Sequence, residues 1–405
     1  MNNNFSFLPI SKRLFITLAC LLFLTGCWNS RELDDLGIAV ALGIDKTQEG
    51  NYSLVVQMIN PSEIATEAPS TRPPVSLYQS EGETIFEALR KMTLSAPRKI
   101  YMSQLRLLII GPGLAEEGIL PTLDLLYRDP EFRTSFLVTV AKDIEVEALL
   151  SVITAYEKIP ANKIMDSIIA AESHWAATHG VYIDQIVSDI RSPGKSPILT
   201  GILLEGSEEA GNNISNVENV DSPARIHVDH LSVFKGDRML GWLNEDESKG
   251  YNYILGNVKS TLINFPCEEK ESGKIGIEIL RTNAAIDATK TGSNPSITVT
   301  LEAEGNVGEI QCDLDLTKPE TLQEIADKAE EDIKTKISAA ITAAKEQYQT
   351  DIFGFGNTIA RKNPTYWKEV EKNWDEHFKE TVVKVEVKLD IRRKGTIVQP
   401  VQKKG

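Results

Sequence analysis

The sequence predicts an α+β protein in which an N-terminal mixed α/β layer domain is followed by a C-terminal antiparallel sheet packed by a long helix. In the N-terminal half, short apolar runs are separated by amphipathic segments of helix length, a pattern typical of strands and helices in layers. In the C-terminal half, apolar and polar residues alternate along several runs, which predicts strands with one wet face. Residues 318–349 carry an apolar stripe at helical spacing and therefore predict the long helix.

Residues 1–26 have the pattern of an export signal. Lys12 and Arg13 precede the uncharged apolar run 14–24. These eleven residues are too few to cross the hydrocarbon of a bilayer, which takes about 20. The run ends in Leu-Thr-Gly-Cys at residues 24–27, which resembles a bacterial lipobox and makes the thiol of Cys27 the expected lipidation site. An ordinary secretory signal with an incidental Cys27, or a short membrane anchor, are the alternatives.

The charge balance restricts the partners of the exported part. The chain carries 58 acidic and 43 basic residues, a net charge of −15. Such an acidic chain is a poor match for nucleic acid, and its net charge argues against a polybasic membrane-surface face. We therefore expect membrane attachment to depend on the lipid at Cys27.

Two of the four cysteines have no role in export. Cys20 lies in the signal and Cys27 is the expected acyl acceptor, which leaves Cys267 and Cys312. An exported chain permits a disulfide between them, worth roughly 4 kcal/mol on the loop-entropy model. Two buried free thiols are the equal alternative.

The N-terminal elements follow from local patterns. Alternating runs at 38–44 and 52–58 flank a turn and predict a hairpin. The proline-rich stretch 60–76 predicts an exposed loop. Thr84 and Glu87 fit a capping box at the start of a helix. Further strands are expected at 105–110 and 136–140, and further helices at 114–127, 143–156, 161–176 and 181–190.

The C-terminal elements begin with strands at 198–204, 226–234, 239–243, 275–279 and 297–303. Thr317 and Glu320 fit a capping box for the long helix. A second helix begins at Asn363, an expected N-cap, and places four large side chains on one side: Trp367, Val370, Trp374 and Phe378. The run 383–391 alternates apolar with charged residues, which predicts an edge or solvated strand.

These patterns divide the chain into a removed signal peptide, two domains and a tail. The expected ranges are 1–26, 27–197, 198–397 and 398–405. A further division of the second domain near residue 265 is left open.

No catalytic, cofactor-binding or metal-binding residue is predicted, and we expect a protein that is not an enzyme. His227 and His230 would point to opposite faces if they lie in a strand. Gly354-Phe-Gly356 lacks the preceding strand and the third glycine of a dinucleotide loop. The charged stretch from Arg128 to Arg133 is more typical of a structural ion-pair corner than of a recognition site.

Short motifs spread along the chain resemble the Ger(x)C family, the lipoprotein C subunits of spore germinant receptors. The resemblance rests on the Gly-Cys-Trp at residues 26–28 and on runs at 31–33, 36–37, 43–45, 113–118, 127–133, 233–237, 241–243 and 351–356, with Trp367 and Trp374. Cys267 and Cys312 are not part of this pattern.

The resemblance implies a subunit anchored through Cys27 on the outer face of the spore's inner membrane. There it would assemble or couple with A and B membrane subunits in the response to nutrients such as amino acids or sugars. No catalytic residue is implied. A solute-binding lipoprotein that captures the germinant and delivers it to a membrane partner is the alternative, and an extracytoplasmic hydrolase is a distant third.

Overall fold

The computed structural model describes residues 35–65, 72–267, 273–291 and 294–393, together with Pro9, Ile10 and Lys12. Cys27 and the predicted cleavage site lie outside these residues. Fourteen strands are found there: β1 Leu36–Lys46, β2 Tyr52–Ile59, β3 Val75–Gly82, β4 Lys99–Tyr101, β5 Leu107–Ile110, β6 Leu137–Ala141, β7 Val181–Tyr182, β8 Ile198–Gly206, β9 Ala224–Lys235, β10 Arg238–Trp242, β11 Thr261–Pro266, β12 Lys274–Thr291, β13 Asn294–Ile310 and β14 Val383–Arg393.

Helices connect these strands. In chain order they are α1 Pro61–Ala65, α2 Ile85–Lys91, α3 Pro112–Glu117, α4 Leu120–Arg128, α5 Val146–Ser151, α6 Pro160–His174, α7 Ile183–Arg191, α8 Glu208–Gly211, α9 Ser215–Glu218, α10 Glu245–Leu255, α11 Pro319–Thr342, α12 Phe355–Lys362, α13 Pro364–Val370 and α14 Trp374–Glu380. In this described part of the chain, no helix combines the length and the apolar character that a membrane span requires.

The first sheet has a parallel centre and antiparallel edges. Its order is β10-β9-β8-β6-β5-β1-β2-β3, with β4 beside β1 and β7 beside β6. The pairs β1–β5, β5–β6 and β6–β8 are parallel. All four residues of β5 are buried, because a central parallel strand is covered on both faces.

Helices cover both faces of this sheet. On one face Ala41, Leu107 and Ile109 pack against α5 and α6 through residues such as Leu149 and Ile164. On the other face the alternate residues, Leu42, Ile44, Leu108 and Ile110 among them, join a larger core with α4 and α7. The predicted α/β layer is therefore confirmed.

The first sheet continues past residue 197. β8 pairs with β6, β9 with β8 and β10 with β9. The chain therefore leaves this sheet only after Trp242, through α10, and the predicted division between residues 197 and 198 falls within one continuous sheet. The division into two domains stays a prediction.

The second sheet has the order β11-β12-β13-β14. One face is covered by α11, whose buried stripe includes Ile325, Ala329, Ile333 and Ile337. The α+β class is confirmed, but the expectation of a purely antiparallel sheet is wrong at its last strand. β14 pairs parallel to β13, because the helices of residues 319–380 return the chain to the end at which β13 began.

The two predicted C-terminal helices are shorter than their patterns suggested. α11 ends at Thr342 and gives way to a π-helical turn at Ala343–Tyr348. Lys318, not Thr317, occupies its N-cap position and makes no side-chain capping bond. Asn363 does cap α13, but the aromatic helix breaks into α13 and α14, with Trp367, Trp374 and Phe378 still buried.

A buried carboxylate organises the segment between α11 and α12. The side chain of Asp351 is 1 % exposed and accepts hydrogen bonds from the backbone N–H groups of Phe353, Gly354 and Gly356 at 2.8–3.0 Å. The indole N–H of Trp374 donates a fourth bond at 3.0 Å. Burial raises the pKa of Asp351 to about 6, although the hydrogen bonds from Gly356, Trp374 and Gly354 act in the opposite direction.

The same segment is hydrogen-bonded to the connection between α7 and β8 of the first sheet. The backbone N–H of Ser196 donates to the carbonyl of Asp351 at 2.7 Å, and the hydroxyls of Ser196 and Thr350 lie 2.7 Å apart. Ser192 donates to the side chain of Asn357 at 2.7 Å. We call residues 192–196 and 350–357, with Trp374, the Asp351 joint. It fixes the first sheet to the C-terminal helices.

A disulfide closes the other end of the second sheet. Cys267, just after β11, is bonded to Cys312, just after β13, with their Cα atoms 6.1 Å apart. Both residues are buried. Of the two alternatives left open by the sequence, the structure has the disulfide.

Replacing the carboxylate of the joint should weaken the fold strongly. Asp351→Ala leaves four buried N–H donors without their acceptor, and each such donor costs about 1–3 kcal/mol. We expect a loss of at least about 3 kcal/mol in the free energy of unfolding, measured by urea denaturation followed by tryptophan fluorescence. Asp166→Ala, on an exposed position of α6, is the matched control and should stay within about 0.5 kcal/mol of wild type. Equal effects of the two substitutions would contradict the role of the joint.

The disulfide should contribute measurably to stability. It closes a loop with a sequence separation of 45, and Cys312→Ser should lower the free energy of unfolding by up to about 4 kcal/mol. Peptide mapping without reductant checks the bond itself, since the peptides that contain Cys267 and Cys312 should migrate as one species. Separate peptides, both alkylated under native oxidising conditions, would show two free thiols instead.

Candidate functional site

A pocket of about 430 Å³ opens where α6, β9 and the start of α10 meet. Its volume lies in the range of small-molecule sites. It is lined by polar and apolar groups: Lys163, Ser167, Ala171, Trp175, Ala177, Thr178, residues 226–230 and Glu245. We call it the α6–β9 pocket.

Lys163 supplies a cation to this pocket. Its ammonium group donates a hydrogen bond to the carbonyl oxygen of Ile226. Burial lowers the pKa of Lys163, because the charged form loses hydration. Among the residues that the structure describes, no carboxylate lies within ion-pair distance of Lys163. The group therefore has donor capacity left for an anionic ligand.

Asp229 supplies an anion that is already paired. Its carboxylate forms an ion pair with Lys142, and His230 Nδ1 lies 3.0 Å from its other oxygen. Burial alone would raise the pKa of Asp229, but the hydrogen bond from Lys142 and the neighbouring His230 outweigh it and hold the pKa below its ordinary value. Asp229 therefore lines the pocket as an ionised carboxylate.

A second ion pair and an indole form the rim. Glu245, the first residue of α10, lies 2.8 Å from the ammonium group of Lys249. That group sits 3.6 Å above the centre of the Trp175 ring, a cation–π contact. Burial favours a higher pKa for Glu245, yet the bond from Lys249 lowers the pKa overall. Trp175 remains 43 % exposed and offers an apolar edge to a ligand.

This arrangement suits binding of a small polar solute that carries both charges. For such a solute, Lys163 would contact the anionic group and Trp175 the carbon skeleton, and the carboxylates of Asp229 and Glu245 would add negative potential for a cationic group. His227 and His230 both border the pocket. Within the described ranges, however, no group of three or more histidine, cysteine or carboxylate residues is placed to hold a metal ion.

The other residues singled out by the sequence have structural partners. Arg128 pairs with Asp124 at 2.7 Å, and Glu131 pairs with Lys99, so two charges of the corner are in ion pairs. The glycine-rich turn 354–356 wraps around Asp351. Backbone N–H groups of that turn bind a carboxylate of their own chain, where a dinucleotide loop would bind a phosphate. Cys27 lies outside the described residues.

Sequence reasoning missed the groups that build the pocket and the joint. Lys163 stands in an unremarkable helical pattern, and Asp229 in a strand pattern. Only the run His227-Val-Asp-His230 pointed to this region, as a weak metal motif. Asp351 was noted as part of a family motif without a role.

Two family models together cover most of the chain. The first, described as "Spore germination protein N-terminal domain", matches residues 29–204. The second, described as "Spore germination B3/ GerAC like, C-terminal", matches residues 229–395. The chain thus carries both halves in their expected order.

Individual proteins agree with these models. "Spore germination protein KC" of Bacillus subtilis is 31 % identical over 394 residues, covering 96 % of each chain. "Spore germination protein B3" of the same organism is 23 % identical, covering 93 % of this chain and 96 % of the relative. The crystal structure of the GerBC protein superposes with a TM-score of 0.55 over 86 % of this chain and 96 % of that chain, at 17 % identity, and so shares its fold.

These matches are to germination proteins and not to an enzyme family, in agreement with the prediction that the chain is not an enzyme. Both halves and the full length are matched, and the fold is shared. The chain therefore belongs to the GerAC-like, or Ger(x)C, family of spore germination proteins.

Proposed function

We propose that this protein is the lipid-anchored C subunit of a nutrient germinant receptor. It acts without catalysis, by assembling or coupling the A and B membrane subunits on the extracytoplasmic face of the inner spore membrane. One observation carries the proposal: a curated germination protein matches the chain at 31 % identity across 96 % of both lengths. A match of this extent leaves no large part of the chain for a different task.

The anchor is supported by the position of Cys27. The lipobox-like residues 24–27 follow a short apolar run, and the family match begins at residue 29, just after the cysteine. The predicted mature chain and the family domain thus begin together. Attachment to the membrane turns a search in three dimensions into one at a surface, which raises the effective concentration of membrane partners.

Cys27→Ala should release the chain from spore membranes and abolish the response to nutrient. The acyl acceptor is lost, and with it the hydrophobic attachment. Membrane fractionation and the fall in optical density of germinating spores measure the two effects. Cys20→Ala, within the predicted signal, is the matched control and should leave both unchanged. If the Cys27→Ala chain still sediments with membranes that lack the A and B subunits, the anchor is contradicted.

The α6–β9 pocket supports a second candidate, a lipoprotein that binds the germinant itself. The specific observation is Lys163, a half-buried cation whose only bonded partner among the described residues is a backbone carbonyl. A germinant with a carboxylate would complete its hydrogen bonding and contact Trp175. In this role the chain would deliver the nutrient to a membrane partner.

Calorimetry of the chain against amino acids and sugars tests the second candidate. Dissociation constants in the micromolar range are expected if the pocket binds the nutrient. Lys163→Met should then weaken binding of a carboxylate-bearing ligand at least about tenfold, since a charge-assisted hydrogen bond contributes roughly 1.5–3 kcal/mol. Lys368→Met, on the exposed side of α13, should not change the affinity. Absence of binding to any germinant would rule out this candidate and leave the coupling role.

A further inference from the structure

We propose that one face of the molecule docks onto a membrane surface of anionic lipid headgroups. This face is basic and apolar, and it lies where the chain enters the fold. This face consists of α2 and the residues that follow it up to β4, residues 86–101, and is called the entry face. The inference rests on the proposed lipid anchor at Cys27 and adds an orientation to it.

The entry face lies where the chain emerges from the anchor. β1 begins at Leu36, which pairs with Lys99 of β4, and Gly37 pairs with Ile100. Arg98 Cβ lies 3.6 Å from the position that a Cβ atom at Gly37 would occupy. The first residues of the fold and the entry face are therefore direct neighbours.

Covalent geometry keeps this face close to the lipid. Eight residue steps separate Cys27 from Asp35. A chain of eight residues spans at most about 28 Å when fully extended. Asp35 therefore lies no farther than roughly this distance from the acylated cysteine, and the entry face begins beside the next residues, where Leu36 pairs with Lys99.

The charge of the entry face is opposite to that of the whole chain. Residues 86–101 contain Arg90, Lys91, Arg98 and Lys99 but a single acidic residue, Glu87, in a chain of net charge −15. Glu87 pairs with Lys91 at 2.8 Å, and Lys99 pairs with Glu131 from the neighbouring corner.

Two of these basic residues have no acidic partner within the described part of the chain. Among the described residues, neither Arg90 nor Arg98 takes part in an ion pair, and both are exposed. They are free to contact anionic headgroups. The nearby carboxylates, Glu131 and Asp129, contact Lys99 and the backbone N–H of Glu131 respectively.

Large apolar side chains stand between these charges. Leu94 is 89 % exposed and Phe86 is 51 % exposed, with the Arg90 guanidinium 5.1 Å from the Phe86 ring centre. A shallow groove of about 270 Å³ beside them is lined by apolar groups such as Leu89, Met102 and Phe132 and by charged groups of both signs, Arg90, Lys99, Asp129 and Glu131. Exposed apolar residues flanked by arginine are typical of surfaces that sit at the headgroup boundary.

An anionic lipid surface explains all three features better than a protein would. The tether brings lipid to this face, the charges are complementary, and the apolar side chains can enter the headgroup layer. Headgroups repel the rest of the acidic chain within about a Debye length, which is about 8 Å at physiological ionic strength. The entry face, with its excess of basic residues, is not repelled in this way.

Depth-dependent quenching in vesicles tests the docking. The mature, lipidated full chain is labelled with the fluorophore NBD at Leu94→Cys or, as the control, at Leu240→Cys on the distant edge strand β10, where Leu240 is 46 % exposed. Both are reconstituted into vesicles of phosphatidylcholine with or without 30 mol% phosphatidylglycerol, each containing lipid with a nitroxide quencher. Flotation first establishes that the chain is anchored.

In the anionic vesicles we expect strong quenching at position 94 and little at position 240. Quenching at position 94 should fall in pure phosphatidylcholine and at high salt. Arg90→Glu with Arg98→Glu should lower the ratio of docked to undocked molecules at least about 25-fold, since each basic residue near an anionic surface contributes about fivefold. Lys368→Glu with Lys372→Glu, on exposed residues outside the entry face, should change nothing.

The experiment distinguishes failure of the lipid anchor from failure of the docking. A chain that does not float with any vesicle lacks the anchor, and the proposed function fails. A chain that floats while position 94 is quenched no more than position 240 retains the anchor and overturns the docking. Quenching at position 94 that appears only when membrane subunits are present would assign the entry face to a protein and would also overturn it.

Discussion

The fold depends on how the carboxylate of Asp351 is buried. An ionised carboxylate without partners would be too costly in the interior, and here four N–H donors surround it. The turn that supplies three of them needs glycine at two positions for different reasons. Gly354 has a φ of 79°, in the left-handed region, and a Cβ at Gly356 would lie 2.7 Å from Gly194 Cα. The joint thus combines a charge, a backbone turn and a close approach between distant segments.

Because of this joint, the two halves are packed as neighbours and not merely tethered. The first sheet runs to Trp242, and α10 then packs so closely on α11 that a side chain at Gly250 would lie 2.0 Å from the carbonyl oxygen of Lys336. The α6–β9 pocket borders the start of α10. A ligand bound there would contact the helix that connects the two sheets.

Local patterns predicted the elements well and their partners poorly. The alternation of 383–391 and the stripe along α11 are properties of neighbouring residues, and both are seen in the structure. The parallel pairing of β14 and the continuation of the first sheet into β10 depend on contacts between residues far apart in sequence, which periodicity does not encode. The same holds for the site. That Asp351 is buried follows from Trp374 and Ser196. Lys163 lacks an ion-pair partner among the described residues because Asp229, on the neighbouring strand, is paired with Lys142 instead.

Net charge is a poor guide to a surface whose charges are unevenly placed. At −15 the chain as a whole should avoid an anionic membrane, yet headgroups respond to the charges within a Debye length and not to the sum over the molecule. The proposed lipid at Cys27 would limit the distance of the chain from the membrane but leave its rotation free. The proposed docking of the entry face would add a preferred rotation, which repulsion of the acidic remainder would strengthen. Restricting rotation in advance lowers the entropy lost when an anchored subunit binds partners of fixed orientation. Even weak binding of the entry face to lipid would therefore have a large effect on assembly.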